Sequence, residues 1–412
     1  MLYSWERETI EEIARQRIMD TFKELSFSVE KKVFGDKIQT TYVELFNSNQ
    51  QIESFGVGKG KYNELGALFE ALEHYTLENI TMKDCDFFSS HHIAKNPIFD
   101  GERVMQLIVE EPDQQLLCKK YYALNDTQQH IWYPFFIANP HYMQHPIETD
   151  TYQYQKVQRY SSNSGTAIGS TLHEAIIHAT NEVIERDAFS LFLLRHFYYD
   201  IPDHTLKIIH PNTLPSSLKE TIVQAEGELQ EEIILLDITT EVAIPTILAV
   251  TKNKKHTGIF GLGTSLYPEY AILRSITELV QVNHIASANI GDELAHREHF
   301  LNQLQPYPRH YACAEMNMCS VFNQFPATYV SFEDLPRFSE RNLILYIEEL
   351  QERLHQQHFS IYYSPVKEFS NGIKIIHVLI PQMERFLLIT NGQLVFPSER
   401  GMKKSLKSQS SL

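Results

Sequence analysis

The chain alternates between stretches where apolar residues recur every three to four positions and short runs where they cluster between turn residues. The first spacing marks amphipathic helices and the second marks strands. Ile10, Ile13, Ile18, Met19 and Phe22 form an imperfect stripe that predicts a helix over residues 6–25. YNELGALFEALEHYTLENI predicts a second over 62–80, entered through the glycine-rich FGVGKG at 55–60. From 81 to 160 the apolar runs shorten, and RVMQLIVE and WYPFFIA, set off by DGE, ANP and QHP, read as strands and turns.

The longest helical pattern is LHEAIIHATNEVIERDAFSLFLLRHFYY, 172–199, which bends or ends near Asp200-Ile201-Pro202. SSLKETIVQAEGEL (216–229) and EYAILRSITELVQVNHIAS (269–287) are further helices. Strand-like EIILLDITT and AIPTILAVTKN lie between them, followed by GIFGLGTSLYPEY as a glycine-bearing loop. Residues 288–325 are more polar and read as a surface excursion. The last part alternates a helix, ERNLILYIEELQERLHQ, with the strands FSIYYSPVKE and IKIIHVLIP. The mixture is α/β or α+β. A weak internal similarity joins ALFEALEHY, AIIHATNEVIERD and RSITELVQVNH: each sets a glutamate three residues before another polar group, Glu70 to Glu73, Glu182 to Glu185 and Glu278 to Gln281.

With 412 residues the chain can bury a large core, as two or three domains or as one large domain with a smaller appendage. A net charge of -16, from 52 acidic against 36 basic residues, argues against nucleic acid as a partner, since a polyanion calls for a basic surface. Four cysteines are too few for a disulfide scaffold. His310, Cys313 and Cys319 lack a fourth zinc ligand and regular spacing, so they read as ordinary loop or core residues. The N-terminus has no signal-peptide core, and the longest apolar run, AFSLFLL, is too short to span a bilayer. A cytoplasmic protein with no membrane partner is expected.

Charge patterning adds the chemistry. On the long central helix Glu174, His178, Glu182 and Glu185 follow steps of four, four and three, which is one continuous face. Glu70 and Glu73 share a face, as do Arg274 and Glu278. One reading is solvated faces laced with ion pairs worth about 0.3–0.5 kcal/mol each. The other is convergence of the stripes, which needs a compensating cation because clustered carboxylates repel. Magnesium suits that role, and Arg186 and Arg274 would then suit phosphate oxygens. FGVGKG completes neither a P-loop nor a dinucleotide-binding fingerprint, which leaves a flexible turn or an anion-facing loop.

Taken together, FGVGKG with GALFEALEHY, GTAIGSTLHEAIIHATNEVIERDAF, LLDITTEVAIPTILAV and GLGTSLYPEYAILRSITELVQ resemble, in order, the segments of the YcaO family. They cover roughly residues 55–285, and NGIKIIHVLIP is similar to the segment that ends the family domain. The resemblance implies a YcaO-like domain of mixed sheets and helices forming an acidic ATP/Mg site. It divides the chain into an N-terminal segment 1–54, a catalytic domain 55–390 and a tail 391–412. It implies Glu70, Glu73, Glu182 and Glu185 as magnesium ligands, and Arg7, Ser170, Glu174, Arg186, Arg274 and Glu278 as nucleotide-binding residues. Arg274 and Glu278 are the expected catalytic pair.

The chain departs from the family in four places. Ser170 stands where the family often has asparagine, His74 follows Glu73 where arginine is usual, and Gly66 replaces a serine. FPSERGMKKSLKSQSSL also lacks the Pro-x-Pro-x-Pro tail of azoline-forming members. The implied reaction is ATP-dependent activation of backbone amides. Its first form is cyclodehydration of Cys, Ser or Thr to thiazoline or oxazoline in a ribosomally made peptide. The alternatives are thioamide or amidine formation, or a noncatalytic peptide- or partner-binding member. With no leader-binding module evident before residue 55, the implied partners are a precursor peptide, an E1-like (ocin-ThiF-type) leader-binding protein, a dehydrogenase in the same complex and a second copy of the chain.

Overall fold

The computed structural model describes residues 5–201, 203–252, 258–289 and 293–406. Three sheets organise the chain. β1 (Ser28–Phe34), β2 (Thr40–Phe46) and β3 (Ile52–Lys59) form an antiparallel meander. β4 (Cys85–Ser89), β5 (Gln115–Ala123), β6 (His130–Pro134) and β7 (Thr166–Gly169) open a second sheet. β8 (Leu206–Ile209), β9 (Ile233–Asp237), β10 (Thr246–Thr251), β11 (Phe260–Thr264) and β12 (Ala327–Val330) make the third, ordered β11-β10-β9-β8-β12. The chain then returns to the second sheet with β13 (Tyr362–Glu368) and β14 (Lys374–Leu379), giving the order β4-β5-β13-β14-β7, with β6 on β5. β12 joins β8 in parallel and the other pairings are antiparallel.

Seven helices frame the argument: α1 (Glu11–Glu24), α2 (Asn63–Glu78), α3 (Leu172–Leu193), α4 (Ser216–Leu229), α5 (Pro268–Ser287), α6 (Leu343–Gln356) and α7 (Glu399–Leu406). α3 starts where the Thr171 hydroxyl accepts the Glu174 N–H, and it continues past Leu193 as a π-helical turn, Leu194–Tyr198. Its N-terminal half packs through Ala175, Ile176, Ile177 and Ile184 into one apolar cluster, and its C-terminal half through Phe189, Phe192 and Leu193 into another. Beyond its first turn, only His178, Glu182, Val183 and Arg186 on this helix retain partial exposure. The central helix is therefore a core element with one polar window.

Glycines let α2 and α5 sit directly on their strands. A Cβ on Gly56 would stand 2.2 Å from the Ala67 carbonyl oxygen, and one on Gly58 would stand 1.6 Å from that of Asn63. The same construction recurs on β11: Gly261 would meet the Ser275 carbonyl oxygen at 2.0 Å and Gly263 that of Ala271 at 2.0 Å. Only residues without a side chain allow this approach. FGVGKG is thus neither a flexible turn nor an anion loop; its first five residues belong to β3.

Other expectations are corrected. RVMQLIVE is a helix, Arg103–Glu110, because Val104, Met105 and Ile108 bury one helical face. WYPFFIA ends a strand at Pro134 and turns through a short helix, Phe135–Ala138. The loop expected at GIFGLGTSLYPEY contains β11. The expected surface excursion at 288–325 holds three helices, Glu293–Leu304, Pro308–Glu315 and Met318–Gln324, and buries Leu304, Cys313, Met318 and Val321 in the largest apolar cluster. Pro202, at the expected end of the long helix, lies outside the described residues.

Candidate functional site

α2, α3 and α5 turn their acidic stripes toward one another. Glu70 on α2 accepts the Val57 N–H of β3, and Glu278 on α5 accepts the Leu262 N–H of β11 at 3.4 Å. Each glutamate reaches the peptide between the paired glycines of its own strand, so the two units repeat one local design. Glu73 accepts the Ile168 N–H of β7 at 2.7 Å, and Glu182 on α3 accepts the Gly165 N–H at 3.4 Å. Backbone N–H groups of strands β3, β7 and β11, and of the turn that enters β7, thus orient carboxylates from all three helices.

The electrostatics show the convergence. Burial pushes the Glu70 carboxyl up to about 7 against the opposing charge of Lys59, with Glu278 and Glu182 adding to the rise. Burial raises Glu73 well above the usual carboxylate range, and here Glu182 and Glu70 add to it with no cation offsetting them. Burial, then Glu278, lifts Glu185 to about 7, against Arg274, Arg186 and Lys59. Glu278 is lowered: burial opposes its charge, but the Lys59 ion pair, Arg274 and Arg186 prevail. Burial opposes the charge of Arg186 and Arg274, but Glu182, Glu185 and Glu278 outweigh it at Arg186, and Tyr270, then Glu185, Glu6 and Glu278, outweigh it at Arg274. The cluster is nevertheless within reach of solvent, since the Glu70 and Arg186 side chains keep 39% and 38% exposure.

The remaining expected residues border the same face. Glu174, 2% exposed, accepts Glu8 N–H and Thr9 N–H at 2.9 Å each and Ser170 N–H at 3.2 Å, and it pairs with Arg7 at 3.4 Å. Its oxygens hold the N-terminal strap and thereby set Arg7 beside the start of α3. The Ser170 carbonyl accepts from Arg17 at 2.6 Å, while its hydroxyl is buried without a hydrogen bond.

Sequence reasoning missed three side chains here. Lys59 ends β3 and pairs with Glu278; its signal was a lysine closing a glycine-bearing strand. Glu6 is buried and accepts from Asn181 at 3.1 Å and Tyr346 at 2.6 Å, a role with no local signature. His178 was noted in the polar stripe without a role. Its Nδ1 is buried without a partner, and burial, then Arg274, Arg7 and Lys59, keeps the ring neutral.

Magnesium and a nucleotide fit this donor set. Glu73 lies among carboxylates with no cation to offset it, which favours a hard cation. Buried atoms lacking hydrogen bonds gather on the same face: Ser170 Oγ, His178 Nδ1, Glu185 Oε2, Arg186 Nε and Arg274 Nε. Among the described residues no three His, Cys, Asp or Glu side chains stand arranged to hold a metal. One small cavity is lined by Arg186 and by neither Glu70 nor Glu73.

A family model described as YcaO cyclodehydratase, ATP- and Mg2+-binding, matches residues 58–384. The chain belongs to the YcaO family. The matched region holds every expected site residue except Arg7. YcaO from Methanopyrus kandleri bound with AMPPCP and Mg2+ superimposes with a TM-score of 0.65 at 18% identity, over 95% of this chain and 96% of that one. A heterocyclase in complex with substrate and cofactor gives 0.66 at 19% identity, over 92% of this chain and 54% of that one. At such identities the likeness is one of fold, and it bears out the mixed α/β YcaO-like architecture. An uncharacterized protein of Methanothermobacter thermautotrophicus (strain Delta H) is 35% identical over 125 residues, 29% of this chain and 31% of the relative. The chain thus matches about a third of that curated relative's length. No helix among the described residues is long and apolar enough to cross a membrane.

Proposed function

We propose that this YcaO protein uses ATP and magnesium to activate backbone amides of a peptide, with cyclodehydration of Cys, Ser or Thr to thiazoline or oxazoline as the outcome. The observation that carries the reading is the meeting of carboxylates from three helices with Arg186 and Arg274. ATP, when bound, supplies the phosphoryl group that makes the attacked carbonyl oxygen a leaving group. Glu70, Glu73, Glu182 and Glu185 are the side chains that would hold magnesium. Arg186 and Arg274 present guanidinium groups to phosphate oxygens, and Arg7 and Ser170 extend that surface toward the N-terminus of α3. Glu278, kept anionic by Lys59 and Arg274, organises these cations and is poorly suited to donate a proton.

The reading includes a precursor peptide and an E1-like leader-binding protein as partners, with a dehydrogenase and a second copy of the chain in the working complex. A second reading is attack by an external sulfur donor or an amine to give a thioamide or amidine, which would draw on the same carboxylates and guanidinium groups. The deciding experiment incubates the chain with ATP, magnesium, the precursor peptide encoded beside it and its candidate partner, then locates mass changes by fragmentation. Loss of one water at Cys, Ser or Thr supports cyclodehydration. Exchange of oxygen for sulfur selects the thioamide, and an unmodified peptide despite partner binding rejects both.

A further inference from the structure

A short strap, residues 5–9, precedes α1, and different parts of the molecule hold its two ends. Trp5 lies against Tyr267 and Tyr270 at the N-terminal end of α5, with ring centroids 5.2 and 5.9 Å apart, and the Arg341 guanidinium covers its ring at 4.1 Å. At the other end the N–H groups of Glu8 and Thr9 and the Arg7 guanidinium all go to Glu174, in the first turn of α3. The Glu8 carboxyl also accepts from the Thr171 hydroxyl.

Glu6 stands between these attachments and is only 8% exposed. Its Oε1 accepts from the Tyr346 hydroxyl at 2.6 Å, from Asn181 Nδ2 at 3.1 Å and from the Ser265 hydroxyl. Those donors come from α6, from α3 and from the turn between β11 and α5. The Tyr346 hydroxyl accepts the Leu266 N–H at 2.8 Å, which ties the same node to backbone. Glu6 also has a φ of +53°, in the left-handed region that residues with a side chain seldom adopt and keep only where their surroundings hold them. Neighbouring side chains therefore part: Glu6 is sunk among three elements, and Arg7 keeps 39% exposure beside Glu174.

That division matters for the charge at the start of α3. Burial, then Arg274, Arg7 and Lys59, disfavours a charge on His178, so the three cations stand about one ring whose Nδ1 has no partner. Arg274 rides on α5 and Lys59 on β3, whereas Arg7 rides on a segment without regular structure. A cation on such a segment can meet a ligand in a fixed geometry only if something else holds its backbone. We propose that Glu6 is the positioning residue for Arg7: it pins the strap to α3, α6 and the β11–α5 turn, and so presents the Arg7 guanidinium to a phosphate group of the nucleotide. The inference rests on the nucleotide reading above and adds the residue on which that cation's placement depends.

The test uses the full chain with Trp132→Phe, which leaves Trp5 as the single tryptophan of the original two. Acrylamide quenching of Trp5 reads whether the strap is docked. Calorimetric titration with a non-hydrolysable ATP analogue and magnesium, well below the melting transition, reads affinity. Glu6→Ala should expose Trp5 and weaken the analogue about fivefold or more. Glu6→Gln keeps the Oε1 acceptor and should restore both readings to near those of the parent. Arg7→Met should weaken the analogue with Trp5 still shielded, and adding Glu6→Ala to it should cost no further affinity. Unchanged affinity in Glu6→Ala overturns the proposal, as do losses from Glu6→Ala and Arg7→Met that simply multiply, since Glu6 would then act other than through Arg7. A parent chain that does not bind the analogue refutes the nucleotide reading instead, and exposure of Trp5 by Glu6→Ala would still uphold the pinning of the strap.

Discussion

Lys59 and Glu278 form an ion pair across 219 residues of sequence, joining the last residue of β3 to the acidic face of α5. The two side chains are 22% and 23% exposed, so the pair is largely shielded from water. It also explains why Glu278 stays anionic while Glu70 and Glu185 are pushed toward neutrality. Removing one partner of a shielded pair strands the other charge. Lys59→Met should therefore lower unfolding free energy by about 1–3 kcal/mol. Lys59→Met combined with Glu278→Gln should recover more than half of that loss. Urea denaturation of the full double-mutant cycle measures the coupling; strictly additive losses would refute the pair as a structural link.

Glu182 and Glu185 face the same cluster one helical turn apart, and losing both removes α3's share of the acidic set. Glu182→Ala with Glu185→Ala should cut magnesium-dependent turnover more than tenfold, or about 1.4 kcal/mol and upward in transition-state stabilisation. ATP titrations with and without magnesium check the cause. If the variant binds ATP with the magnesium dependence of wild type, these two carboxylates are not the metal's ligands.

Gly58 tests the strand-on-helix contact that shapes the cluster. Its added Cβ would overlap the Asn63 carbonyl at 1.6 Å, a backbone atom that cannot step aside cheaply. Gly58→Ala should destabilise by about 2 kcal/mol or more, whereas Gly227→Ala on α4, where a Cβ meets nothing within 4 Å, should be neutral or stabilising. Equal melting temperatures for the two variants would show that the close approach is not required.

These glycines also mark how far the sequence could be read. The long helices were legible because their apolar periods are strong: 62–80 became Asn63–Glu78, 216–229 became Ser216–Leu229 and 269–287 became Pro268–Ser287. Glycine-bearing β3 and β11 were misread because local propensity treats Gly as punctuation, whereas here its missing side chain serves tertiary contact. Residues 288–325 were misread because polar composition hid a few well-placed apolar side chains, Leu304, Cys313 and Val321 among them. The acidic stripes were visible at helical spacing. Their orientation by β-strand N–H groups was not, and neither was Lys59 as the counter-charge, since those partners are distant in sequence.

Glu102 makes stability depend on pH. Burial lifts its carboxyl to about 7, only partly offset by Gln382 N–H and Arg385. The unfolded chain would release that proton near pH 4.3, so between about 4.3 and 7 the folded state binds more protons and stability falls as pH rises. Glu102→Gln removes this loss while keeping an acceptor for Gln382 N–H. Its melting temperature relative to wild type should therefore be higher at pH 8 than at pH 5. A difference independent of pH would mean that Glu102 titrates normally.

Arg400 ties the last described helix to α3. Its guanidinium pairs with Asp187 through Nε and Nη2, both at 2.6 Å, and with Glu241 at 2.5 Å, while the Arg400 and Asp187 side chains keep only 8% and 1% exposure. Asp187 directly follows Glu185 and Arg186, so the fork also fixes the turn of α3 that carries them. Arg400→Met would leave Asp187 buried and uncompensated, a loss of about 3–5 kcal/mol. Arg400→Lys should restore part of the charge but not the two-pronged geometry, giving intermediate stability. If the fork holds α3 in register, Arg400→Lys should also weaken nucleotide affinity at temperatures where the chain remains folded. Calorimetric ATP titration well below the melting transition separates the two effects: full affinity in a destabilised but folded Arg400→Lys would confine Arg400 to anchoring α7.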